Sequence, residues 1–156
     1  ISQVFKMGVL EKIIPKDEER SIIPPSARFI MGGTGIPYGE MLRGYTENRV
    51  GPFSSTRGGN VMIKYSIEFR LSLSENPTIY TLSFFDMGNV WTDFNVMDPF
   101  DLKRSSGMGI RVFIPMLGML GYDIGYGFDS TDYDTYMSGQ KKPHGWEYHL
   151  IFGMPF

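Results

Sequence analysis

The chain has 156 residues, with 15 Lys and Arg against 17 Asp and Glu for a net charge of −2, and no Cys. That balance excludes the basic footprint of a nucleic-acid binder, and the lack of cysteine excludes a disulfide framework or a thiolate metal site. Nineteen Gly, 12 Phe, 9 Tyr and 2 Trp suit close strand packing, tight turns and a water–lipid interface. No stretch reaches the roughly 18 to 20 apolar residues of a membrane helix; the best run, 112–122, is cut by Pro115, Gly118 and Gly121. Alternating strands score weakly on averaged hydropathy, so that measure does not decide the class. The first ten residues read as strand and not as a signal peptide, so the chain is expected to begin within a protein or after processing.

Six strands are predicted, over 2–14, 60–73, 79–91, 104–114, 119–128 and 146–156. Each is about as long as a tilted strand crossing a bilayer requires. In the second, Ile63, Tyr65, Ile67, Phe69 and Leu71 alternate with Lys64, Ser66, Glu68 and Arg70. The third resists a simple reading. Tyr80, Leu82 and Phe84 look lipid-facing, which puts Asp86 on the same face, where it costs several kcal/mol near mid-bilayer. Either a bulge at Phe84 and Phe85 turns Asp86 inward, or part of that face meets something other than lipid. In the fifth strand, Leu120, Tyr122, Ile124, Tyr126 and Phe128 oppose Gly121, Asp123, Gly125 and Gly127.

The last strand is the clearest. Trp146, Tyr148, Leu150, Phe152, Met154 and Phe156 fall on one face and Glu147, His149, Ile151, Gly153 and Pro155 on the other, the stripe a transmembrane β-strand presents to lipid. Connections 74–78 and 115–118 are tight turns, whereas 15–59, 92–103 and 129–145 are long and polar. Short periplasmic turns and long extracellular loops are the habit of outer-membrane barrels, which places Phe156 on the periplasmic side. The fold class expected is an all-β, antiparallel transmembrane barrel, with no convincing helix and no internal repeat.

The first long loop holds Gly32 and Gly33, then Leu42, Arg43, Gly44 and Tyr45, then Gly51 and Pro52. Further on come Phe85, Asp86, Met87, Gly88, Asn89, Val90 and Trp91, and the chain ends on an aromatic strand. Together these resemble the outer-membrane assembly and two-partner-secretion transporter superfamily, and within it the BamA-like assembly factors. The resemblance covers essentially the whole chain. It implies that residues 1–156 are the last six strands of a sixteen-stranded barrel, a fragment without its periplasmic domains and first strands.

Arg43 carries a planar fork of five donors that stays charged, so inside a barrel it needs carboxylates. If Leu73 pairs near Ile79, Glu68 lies opposite Phe84 with Asp86 as its diagonal neighbour, both within reach of one guanidinium. The resemblance implies such a tether in the lumen, with Gly44 letting the loop tip approach the wall and Tyr45 packing it there. Spacing alone leaves open a solvated Arg43 whose surface pairs contribute little.

Other candidates are weaker. Asp129, Asp132 and Asp134 could offer hard oxygen ligands to Ca²⁺ but lack the spacing of a known loop motif, and an acidic extracellular loop is the ordinary reading. His144 and His149 read as structural, since neither Cys nor ordered carboxylates accompany them. Gly153 and Pro155 weaken pairing in the strand that must close the barrel; they mark either a poorly paired seam or a simple terminator at the rim.

The function expected is non-enzymatic and cofactor-free: insertion of β-barrel proteins into the bacterial outer membrane. The loop 15–60 is tethered in the lumen, and the C-terminal signal from Trp146 to Phe156 forms a lateral seam. Implied partners are unfolded outer-membrane proteins, accessory lipoproteins of an assembly complex, membrane lipid, and the remaining strands of the same barrel or further copies of the fragment. The alternatives are a two-partner-secretion pore and a small independent porin- or adhesin-like barrel. Six strands are too few to close a barrel alone.

Overall fold

The alternation along each predicted strand resolves into one continuous sheet. The computed structural model describes residues 1–10, 27–52 and 58–153. Its strands are β1 (Ser2–Val9), β2 (Val61–Glu75), β3 (Thr78–Trp91), β4 (Lys103–Ile114), β5 (Gly118–Gly127) and β6 (Gly145–Gly153). They lie in sequence order, each antiparallel to the next. The turns after β2 and β4 are tight, and the connections at the opposite end are long. The distal part of the first predicted strand, much of the loop that follows it, and Met154, Pro155 and Phe156 lie outside the described residues.

Side-chain alternation gives the sheet two unlike faces. On one, Phe69, Met108, Ile110, Tyr122, Ile124, Tyr148 and Leu150 are exposed, with Trp146 at 63% and Phe152 at 67%. Aromatic pairs stitch the β5–β6 ladder there: Tyr126 meets Trp146 edge-on at 5.2 Å between centroids, and Tyr122 stacks on Tyr148 at 6.4 Å. The other face buries Lys64, Ser66, Asp86, Ser105, Arg111, Asp123 and His149 together with Leu82 and Phe84. Polarity is thus inverted relative to an antiparallel sheet in water, whose buried face is the apolar one. Among the described residues no helix is long and apolar enough to cross a membrane, which says nothing about strands.

Three expectations are corrected. The pairing of β2 with β3 runs without a slip through Phe84 and Phe85, and its one irregularity is at Ser72 and Ser74. No bulge is needed because Leu82, Phe84 and Asp86 are buried on one covered face, with Arg43 of the loop over the Phe84 ring and bonded to Asp86; the expected lipid-facing assignment of Tyr80, Leu82 and Phe84 is reversed. The polar connection after β5 also contains a helix, α1 (Asp132–Ser138). Thr131 caps it, its hydroxyl accepting from the Asp134 amide while the Asp134 carboxylate accepts from the Thr131 amide, a reciprocal box that a short polar segment can form without an apolar stripe. A single 3-10 turn, Phe94–Val96, follows β3.

Candidate functional site

The connection between β1 and β2 folds back over the polar face as a small structured unit. Isolated bridges tie Met31 to Glu40 and to Val50, and Gly33 to Leu42. Met31, Leu42, Tyr45 and Val50 from the loop pack with Met62 of β2 and Val90 of β3 into the buried apolar cluster, flanked by Phe29. Glu47 stitches the loop internally, accepting from the amides of Thr34 at 2.5 Å and Ile36 at 3.1 Å. This apolar cluster seats the loop and delivers Arg43 and Gly44 to the middle of the sheet.

Arg43, 1% exposed, reaches down between β2, β3 and β5. Its Nε and Nη2 donate to the two oxygens of Asp86 at 2.8 and 2.9 Å, and Nη1 donates to Glu68 at 2.7 Å. Asp123 lies 3.7 Å from Nη1. The guanidinium plane stacks over Phe84, 3.9 Å from the ring centre. Outer cations complete the set: Arg70 pairs with Glu68 at 2.7 Å, and Arg111 makes two bonds to Asp123. Ser66 donates to Asp86. Three carboxylates therefore face three guanidiniums, the compensation a buried charge requires. Burial works against the charge of Arg43, but the carboxylates of Asp86, Glu68 and Asp123 more than offset it and hold the group above its ordinary range.

Gly44 and Tyr45 complete the seat. Gly44 has a φ of +81°, a left-handed conformation that favours glycine, and a Cβ there would come within 2.9 Å of Ser105 Cβ and 3.2 Å of the Tyr126 backbone. The tip lies along Gly125 and Gly127 of β5, the small face of that strand. Fully buried Tyr45 donates its hydroxyl to the Arg104 carbonyl at 2.7 Å and accepts from the Asp129 amide at 3.3 Å. Burial pushes its ionisation upward. On the far side the tip meets β6 and the turn before it: the Gly44 amide donates to His149 Nε2 at 2.9 Å and the Thr46 amide to His144 Nε2 at 3.2 Å.

The structure thus brings Arg43, Glu68 and Asp86 together, and it seats Leu42, Gly44 and Tyr45 beside them. Trp146, Tyr148, Leu150 and Phe152 stand away from this centre on the exposed face, and Gly153 ends β6 at the exposed edge. Asp129, Asp132 and Asp134 do not converge. Asp129 pairs with Arg104 at 2.9 Å, which outweighs burial and holds its carboxyl below the usual range, while Asp134 caps α1 and contacts His144 Nδ1 at 2.7 Å. Among the described residues no group of three or more His, Asp or Glu is placed to hold a metal ion.

A glycine-flanked Arg-Gly-aromatic tip, anchored on carboxylates of neighbouring strands beneath a polar sheet face, is the arrangement the sequence resemblance implies. The model of the Omp85 superfamily domain matches residues 1–154. The chain belongs to the Omp85 superfamily. No curated protein matches the sequence. Omp85 superfamily membership implies outer-membrane protein insertion or secretion, carried out with substrate outer-membrane proteins and with the other parts of the barrel. In this Omp85 chain sequence reasoning did not place Asp123 and Phe84 at the site, and His144 and His149, read as structural, hold the loop tip. Asp123 and His149 were legible as polar members of an alternating strand, but their convergence on the loop tip depends on a register across β5 and β6 that spacing alone does not provide.

Proposed function

We propose that this chain is the C-terminal part of the barrel of a BamA-like assembly factor, a non-enzymatic machine that receives unfolded barrel proteins from the periplasm and helps them pair strands and enter the outer membrane. The observation that carries the reading is the inverted sheet. Its bare face suits lipid, its polar face suits a lumen occupied by the Arg43 loop, and in a closed barrel β6 would meet the first strand at a seam where an incoming strand could pair. The remaining strands of a sixteen-stranded barrel would lie beyond β1 and β6, and accessory lipoproteins would act from the periplasm. The energy would come from client folding and local bilayer thinning.

The test uses the full-length protein in lipid vesicles. Arg43→Ala should slow insertion of client barrels relative to both wild type and Lys141→Ala, which alters an exposed residue. Normal client insertion by a folded Arg43→Ala protein would reject the role of the loop. Export of a soluble passenger without any effect on client insertion would favour the secretion transporters of the same superfamily.

A further inference from the structure

We infer that His149 is a positioning residue that joins the covering loop to the last strand, so that release of the loop tip and movement of β6 are one event. The inference rests on the reading of β6 as the seam. Within this sheet β6 pairs with β5. Across the covered face it is joined to the loop tip by the bond from the Gly44 amide to His149 Nε2 at 2.9 Å and by a bond from the Thr46 hydroxyl to Glu147 at 2.8 Å. Arg43, the adjacent residue, is fixed to Asp86 of β3 by two bonds. The two-residue segment is therefore a strut spanning the covered face from β3 to β6.

The chemistry of the joint is specific. The two histidines of the chain both turn Nε2 toward the loop backbone, and His144 repeats the arrangement two residues along the loop with Thr46. An Nε2 that accepts requires the proton on Nδ1. At His144 both ring nitrogens also face carboxylates, Nδ1 that of Asp134 at 2.7 Å and Nε2 that of Glu147 at 3.0 Å, so the simpler joint is the one at His149. His149 is buried; Asp123 sits opposite it on β5, and that carboxylate is already engaged by Arg111 and faces Arg43. The Gly44 amide is buried against the β5 backbone, where Gly125 and Gly127 leave no room for a side chain of their own. If β6 moves away, that buried donor is left unsatisfied unless the tip lifts with it, which is the costly direction of hydrogen-bond loss.

The test reads amide hydrogen exchange in the full-length protein in lipid bilayers, with no client present. His149→Leu should raise exchange both at residues 42–46 and in β6, by about tenfold or more if one such bond is lost. His149→Gln places an oxygen acceptor near the Nε2 position and should restore both segments. Wild-type exchange at 42–46 in His149→Leu, a loosened loop beside an unchanged β6, or failure of His149→Gln to restore protection would each overturn the inference. If His149→Leu does not fold, nitrogen spectra of histidine-labelled wild-type protein decide: a proton on Nδ1 with Nε2 accepting supports the joint, and a proton on Nε2 overturns it. Client insertion is assayed separately. Coupled exchange in a protein that inserts no clients would reject the assembly reading and leave the joint standing, whereas uncoupled exchange in an insertion-competent protein would reject the joint alone.

Discussion

Gly125 of β5 and Gly44 of the loop are in backbone contact: a Cβ built on Gly125 falls 2.8 Å from both the Cα and the amide nitrogen of Gly44. The glycine face of the fifth strand is therefore a shaped seat. Gly125→Val is expected to lift the loop tip and strain the bonds of Arg43, at roughly 1 to 3 kcal/mol for overpacking. Ser83→Ala, on the exposed face, should stay within about 0.5 kcal/mol of wild type. Protease sensitivity of the loop and resistance of the folded protein to detergent denaturation measure the difference. An unlifted loop in Gly125→Val would contradict the seat.

The ion cluster predicts unequal effects. Arg43→Ala leaves Asp86 and Asp123 buried with less positive charge and should destabilise by about 3 to 5 kcal/mol in a dry site, less in a wet one. Arg43→Lys keeps the charge but loses the paired bonds to Asp86, so it should rescue only in part. Removing both partners, as Arg43→Ala with Asp86→Ala, should cost less than the sum of the single changes. Additive single effects in denaturant unfolding would show that the two groups act independently.

Tyr45 sets an alkaline limit. Its folded-state ionisation is raised by burial, so the neutral form is bound more tightly in the fold than in the unfolded chain. The stability this contributes is fully present below the ordinary tyrosine value of about 10 and is lost as pH rises from there through the higher folded value. Phenolate absorbance should show a tyrosine that ionises above the ordinary range and is absent from Tyr45→Phe. If the difference spectrum between the two proteins titrates near pH 10, Tyr45 is not held in this way.

The seam reading makes a separate prediction. Joining Ile151 or Phe152 by an engineered disulfide to the first strand of the complete barrel should stop client insertion, and reduction should restore it. Undiminished insertion with the seam locked would leave Gly153 and Pro155 as features of a strand end only.

The strand pattern was open to reading from sequence because a period of two depends on neighbours along the chain alone. The residues of 119–127 and 146–153 sort onto two faces with no tertiary information, and the hairpin register that puts Glu68 across from Phe84 follows from a short turn. The reversed reading of Leu82 and Phe84 shows where this stops. Alternation says that they share a face with Asp86, but not which face is outward, and that depends on a loop arriving from more than thirty residues away in sequence. Arg43 over Phe84, Asp123 beside Arg43, and His149 beneath Gly44 are likewise decisions of tertiary structure. They depend on the registers of several strands at once, together with a loop seated by its own apolar cluster, which no local pattern encodes.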